Sequence, residues 1–466
     1  MRYVSTRGEA RSVGFLDALL AGLAPDGGLY VPNVWPRLTA EEIAGFAGHP
    51  YATVAADILG RFAGDDVAAP VMEGLCAAAY ADFAHPAVTP LKQLGPGRFL
   101  LELFHGPTLA FKDLAMQVVA RLYEFALAER GRALTLVCAT SGDTGGAAVE
   151  AFAGRANIRL VALYPEGRIS KAQRRFMTTS IHANVRAVAV AGDFDDCQAI
   201  LKALFADDAF ARQVGLSAVN SINIARIAAQ TVYYFAAAAA LGAPARRLAF
   251  AAPTGNLGDA YAGWAAARMG LPTQRIIVAT NGNDIVARAL QTGRYERRPA
   301  LATQSPAMDI QVASNFERLY FECAGRDGPA TAAAFRRFAA AGSIDLPPTA
   351  LEAMREVFTG VSVSEAATSR AMAETLEKAG ELVDPHTAVA LAGADLAGEP
   401  GARAPLVALS TAHPAKFPDT VRAATGRSPI VPPAVLERAD RPERFDRLPV
   451  DVEAVKAYVR AFPAVG

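Results

Sequence analysis

Short apolar runs alternate along this chain with glycine-bearing loops and helix patterns, and few architectures accept that order. Leu134–Ala139 reads as a strand and residues 145–153 as a helix; residues 158–164 and Val185–Val190 are further strands, the latter followed by a helix over 194–205. Residues 248–252 form a strand, a loop follows, and a helix then reaches Met269. Residues 98–104, 276–279 and 406–409 are also strand patterns, and a helix runs over 113–130. Strands separated by helices must pair in parallel, with helices covering both faces. The fold class is therefore α/β. In such sheets ligands bind beyond the carboxyl ends of the strands. Three polar, glycine- or hydroxyl-bearing loops occupy that position: 140–146, 253–259 and 410–416.

Before this region, residues 1–90 look mainly helical, with alanine-rich stretches over 52–62 and 71–83. Residues 393–405 are rich in Gly, Ala and Pro and read as a loop. A chain of 466 residues allows two or three domains, and 52% hydrophobic against 20% charged residues suits a well-buried enzyme. Lys plus Arg equals Asp plus Glu at 46 each, so neither nucleic acid nor an anionic membrane is an expected partner. The most apolar helix pattern, 225–242, carries Arg226 and Gln230 and reads as a buried helix rather than a membrane span. Four cysteines (Cys76, Cys138, Cys197, Cys323) and six scattered histidines match no metal spacing, so no metal is expected. Few cysteines and an N-terminus without an apolar signal core point to the cytoplasm.

Five segments carry chemistry. Lys112 closes His105-Gly106-Pro107-Thr108-Leu109-Ala110-Phe111-Lys112 and opens a helix. A lysine disfavoured by the helix dipole and desolvated by its neighbours is a Schiff-base nucleophile; taken alone, a surface lysine explains it better. Gly255-Asn256-Leu257-Gly258-Asp259 sits between strand and helix, where converging N–H groups make an anion cradle or merely a tight turn. Thr140-Ser141-Gly142-Asp143-Thr144-Gly145 lacks dinucleotide-binding glycine spacing and could be a cluster of helix caps. Ser410-Thr411-Ala412-His413-Pro414-Ala415-Lys416 places hydroxyls just past a strand; His413 and Lys416 could be phosphate contacts or structural. Arg226 in an apolar helix calls either for an anionic ligand or for an internal carboxylate.

His105 to Asp113 resembles the cofactor-lysine segment of the threonine synthase family. That family belongs to the fold type II, tryptophan-synthase-β-like enzymes dependent on pyridoxal 5′-phosphate (PLP). The resemblance extends over nearly the whole chain. It includes Tyr3-Val4-Ser5-Thr6-Arg7-Gly8, Asp26-Gly27-Gly28-Leu29-Tyr30-Val31-Pro32 and Met308-Asp309-Ile310-Gln311-Val312-Ala313-Ser314-Asn315-Phe316-Glu317-Arg318, and the length is similar to the long bacterial and fungal branch. It implies two doubly wound αβα domains with PLP in the cleft between them. Residues 91–132 and 216–466 would form the larger domain, 133–215 a smaller one inserted in it, and 1–90 the helical N-terminal region. Lys112 would anchor PLP and act as the acid–base. Gly255, Asn256, Leu257, Gly258 and Asp259 would hold the cofactor phosphate, with Leu257 where relatives often have Phe. Thr411 would face the ring nitrogen and Asp143 the cofactor. Ser141, Gly142 and Thr144 would grip the substrate carboxylate, and Asn220, Ser221, Asn223, Arg226 and Lys171 its phosphate.

The implied reaction converts O-phospho-L-homoserine and water to L-threonine and phosphate by γ-elimination and β-addition of water, the final step of threonine biosynthesis. Long-form relatives imply a monomer. The competing readings are an O-phosphohomoserine phospholyase, another eliminating fold type II enzyme, or a non-catalytic PLP- or metabolite-binding protein. The last would be expected to lose Lys112 or the 141–145 loop, and both are present.

Overall fold

A computed structural model describes residues 1–398 and 404–463. Its strands are almost uninterrupted runs of Ala, Val, Ile and Leu because both faces of each sheet are covered. Six strands make the larger sheet, in the order Phe358–Ser362, Thr273–Thr280, Leu248–Pro253, Leu406–Ser410, Arg98–Glu102, Leu91–Gly95. All pair in parallel except the last, an antiparallel edge strand. The smaller sheet has five parallel strands: Asp446–Leu448, Val185–Val190, Ile158–Pro165, Leu134–Ala139 and Leu216–Ser217. A mixed α/β architecture with a largely helical N-terminal region is therefore observed.

Most expected strand boundaries fall within a residue or three of the observed ones, and the helix expected from 113 begins at Lys112. Two expectations are redrawn. Residues 393–397 are not loop: they complete the helix Pro385–Ala397, where Gly393 lies against Ala279 so closely that an added Cβ would come within 2.5 Å of its Cβ. The rest of that expected loop includes 399–403, which lie outside the described residues. Second, the C-terminal segment does not stay with the larger domain. Asp446–Leu448 pairs with Val185–Val190, and the helix Val452–Ala461 buries Val455 and Val459 with Leu201, Leu204 and Phe210 of the smaller unit.

The N-terminal region is more than helices: Tyr3–Ser5 pairs antiparallel with Tyr30–Pro32. Its helices pack on Lys112–Arg130 and Ile224–Ala240, and the buried hydroxyls of Tyr80 and Tyr123 donate to the Leu114 and Leu19 carbonyls at 3.0 and 2.8 Å. Thr6 and Arg7 reach Glu317 at 2.7 and 3.0 Å, so two of the family-like segments meet in space. Ile224–Ala240 is buried on almost every side, which explains why it shows no polar face. No described helix is long and apolar enough to cross a membrane.

Candidate active site

The loops at the carboxyl ends of the two sheets face one cleft. Lys112 enters it from the first turn of the helix Lys112–Arg130. The preceding turn is locked by Asp113, whose carboxylate accepts from the Thr108 N–H at 2.8 Å and its hydroxyl at 2.6 Å. Only glycine fits at 106, because an added Cβ would lie 2.4 Å from the Asp113 Cβ. The Lys112 amine lies 3.7 Å from an Asp143 oxygen and 4.6 Å from the Phe111 ring centroid. Burial lowers its pKa; Lys416 and Arg226 lower it further, against the opposing charge of Asp143. This is a desolvated amine of the kind a nucleophile needs, not a surface lysine.

Opposite stands the turn that opens the helix Gly258–Arg268. Leu257 holds it at φ +60°, and at Gly255 an added Cβ would come within 3.1 Å of the Ala307 carbonyl. The N–H groups of Gly255, Asn256, Leu257, Gly258 and Asp259 have no acceptor among the described residues. Five adjacent donors at a helix N-terminus suit a phosphate. Asn256 Oδ1 accepts from Ser314 Oγ at 2.6 Å, fixing this turn to the 306–314 segment. The Asp259 carboxylate turns to the hydroxyls of Tyr233 and Tyr234, and burial pushes its pKa up to about 6.

Thr140, rather than the serine, aspartate or second threonine, caps the next helix. Its hydroxyl accepts from the N–H groups of Gly142 at 2.9 Å and Gly145 at 2.8 Å. The N–H groups of Ser141, Asp143 and Thr144 are left without protein acceptors among the described residues, and the hydroxyls of Ser141 and Thr144 line the cleft. That arrangement suits a carboxylate. Gly142, at φ +125°, contributes backbone beneath the cleft wall, with the Gln173 side chain where a Cβ would be. Asp143 is bonded to Lys416 at 2.6 Å and to Gln173 at 3.1 Å. Burial alone would raise its pKa, but the Lys416 and Lys112 ammonium groups hold it well below the carboxylate range.

Of the adjacent hydroxyls at the end of Leu406–Ser410, Ser410 turns into the core against Thr387 at 3.0 Å. Thr411 faces the cleft with its hydroxyl unbonded among the described residues, while its carbonyl accepts from the Phe111 N–H at 2.9 Å. Arg226 also lines the cleft. It donates to the Val219 carbonyl at 3.2 Å, its Nε has no partner, and no carboxylate pairs with it among the described residues. Burial lowers its pKa to about 10. The internal ion pair left open by the sequence is absent there. Asn220 and Ser221 share its wall.

Two expected residues stand elsewhere. Asn223 caps the helix through Ala225 N–H and turns its amide to the Leu19 carbonyl at 2.9 Å and Tyr123 at 3.1 Å, away from the cleft. Lys171 is exposed at the start of Lys171–Thr178 and does not line the cleft.

Other groups were not singled out from sequence. Gln230, one helical turn beyond Arg226, brings a buried Oε1 without a partner. His386 lines the cleft with Nδ1 held by Asp384 at 2.6 Å, and its Nε2 accepts from the Ala307 N–H at 3.3 Å. Asp384 two residues before the histidine was the available signal, as a helix cap. Residues 306–310 close one side, tied down where Asp309 accepts from Asn281, Asn283 and Thr303.

Comparison with known proteins adds a family. The profile described as pyridoxal-phosphate dependent enzyme matches residues 83–412, threonine synthase N terminus matches 2–80, and threonine synthase, C-terminal matches 387–459. The chain is 46% identical to the threonine synthase of Pseudomonas aeruginosa, with 98% of each chain covered, and 39% identical to that of Methylobacillus glycogenes, covering 98% of this chain and 99% of that one. Among solved structures, PLP-bound threonine synthase from Brucella melitensis superposes with a TM-score of 0.96 at 48% identity over 99% of both chains. The yeast threonine synthase superposes at 0.93 and 34% identity, over 99% of this chain and 98% of that one.

Proposed function

Because the chain belongs to the threonine synthase family of PLP-dependent enzymes, we propose that it converts O-phospho-L-homoserine and water to L-threonine and phosphate. The observation that carries the site assignment is one cleft in which a desolvated lysine, a run of free N–H groups and an unpaired arginine come together. These residues fit PLP: the 255–259 N–H groups would hold its phosphate, Lys112 would bind it covalently, and Thr411 would donate to a neutral ring nitrogen. When bound, PLP supplies an electron sink for charge developing beside the amino-acid nitrogen.

The chain's own residues do the rest. The N–H groups of Ser141, Asp143 and Thr144, with the hydroxyls of Ser141 and Thr144, orient the substrate carboxylate; the Gly142 N–H is held by Thr140. Arg226, with Asn220 and Ser221, holds the substrate phosphate and stabilises the charge it carries away. Lys112, with its pKa lowered, accepts the Cα proton while neutral and returns it later. Asn223, turned to Leu19 and Tyr123, and Lys171, exposed outside the cleft, take no part in holding that phosphate. A cytoplasmic location accords with four unpaired cysteines, and sedimentation of the purified protein tests whether it is a monomer.

Two measurements test this reading. Borohydride reduction followed by peptide mass spectrometry should place the cofactor on Lys112, and Lys112→Ala should abolish that adduct. With O-phosphohomoserine, phosphate release should match threonine formed; accumulation of 2-oxobutyrate instead would make the enzyme a phospholyase.

A further inference from the structure

Lys416 is a lysine almost wholly shut off from solvent, and it does not line the cleft. A buried ammonium is costly unless it is paired. Its Nζ lies 2.6 Å from Asp143 Oδ1 and 3.0 Å from the Thr108 carbonyl, with the Phe176 ring centroid at 5.5 Å. Three segments meet there: the short 3-10 turn Pro414–Lys416, the turn entering Lys112, and the loop opening the helix Asp143–Phe152. With Oδ1 occupied, and also bonded to Gln173, the other oxygen of Asp143 is the one 3.7 Å from Lys112.

We propose that Lys416 is a positioning residue for the reaction: it holds Asp143 with one oxygen turned to Lys112, so that the Lys112 amine exchanges protons beside a fixed and partly neutralised negative charge. The inference rests on Lys112 being the working amine. Groups facing Lys112 come from every neighbouring element: Asp143, Lys416, Arg226, Asp113 and Asp259; His386 faces Asp143. Lys416 touches Asp143 from outside the cleft, beside the neutral Gln173, and is the charged partner there among the described residues. Removing its charge leaves Asp143 paired with Lys112 alone, which stabilises the protonated amine.

The test uses holoenzyme and the variants Lys416→Met and Lys416→Arg. In Lys416→Met the pH midpoint of the Lys112-bound cofactor absorbance should rise by about one unit, a tenfold change in proton affinity. The rising limb of kcat against pH should move the same way, KM should stay within about threefold, and Lys416→Arg should restore the midpoint. An unchanged midpoint with only a lower Tm would overturn the proposal, as would a tenfold rise in KM on an unshifted profile. Should Lys416→Met fail to fold, Asp143→Asn decides: the midpoint should fall, and no shift would reject the role. Cofactor found on another lysine after borohydride reduction would sink the Lys112 assignment instead.

Discussion

Two fully buried arginines act on the same helix start and have opposite surroundings. Arg318 donates from all three guanidinium nitrogens, to the carbonyls of Tyr30 and Ile222 and to Asn315 Oδ1. Arg226, in the first turn of the helix Ile224–Ala240, has one protein acceptor and an orphaned Nε. Burial lowers both to about 10. Composition and burial are thus the same, and only hydrogen-bond satisfaction separates a structural clamp from a site. A buried polar group left unsatisfied implies a missing partner.

The sharpest way to break this contrast is Arg318→Met. It orphans three acceptors, so the unfolding free energy should drop by about 3 kcal/mol or more, with KM nearly unchanged in the protein that remains folded. Chemical denaturation checks the first half. Next, Arg226→Gln should lower kcat/KM for the phosphorylated substrate by roughly 100-fold, about 2.7 kcal/mol, without lowering Tm. A Tm loss comparable to that of Arg318→Met would erase the distinction.

Asp259 extends the contrast to acids, since its Oδ2 is also buried without a partner. Its folded pKa, about 6, lies above the unfolded value, so stability is lost as pH rises from about 4 through 6. In thermal melts, Asp259→Asn should therefore gain about 1–2 kcal/mol above pH 7, with the gain fading towards pH 4. The smallest effect concerns the paired hydroxyls. Thr411→Val should slow kcat by about tenfold and shift the cofactor spectrum, whereas Ser410→Ala, losing only a core bond, should alter Tm and leave the spectrum alone.

The same distinction explains what was legible beforehand. The alternation of strands and helices and the loops at 140–146, 253–259 and 410–416 could be read because each joins an apolar run to residues with special backbone chemistry. Arg226 could be flagged, but its two readings could not be separated until the absence of a carboxylate was visible. Asn223 was misleading because a helix-capping asparagine and a phosphate-binding one look alike in sequence; its amide is used by Leu19, some 200 residues away. Lys416, Gln230 and His386 depend on long-range neighbours that no local period reveals. The strand Asp446–Leu448 is only three residues long, too short for any alternation to declare its sheet.

That short strand has a consequence for how the molecule is made. Val185–Val190 is an interior strand only because Asp446–Leu448 lies along it. A ribosome delivers the covering strand long after the strand it covers. Throughout that interval the nascent smaller sheet presents an open row of backbone donors and acceptors, the surface on which chains join one another. The vulnerable moment for this enzyme is therefore late in synthesis, and a stop codon shortly before residue 446 should yield aggregate rather than a slightly shorter enzyme.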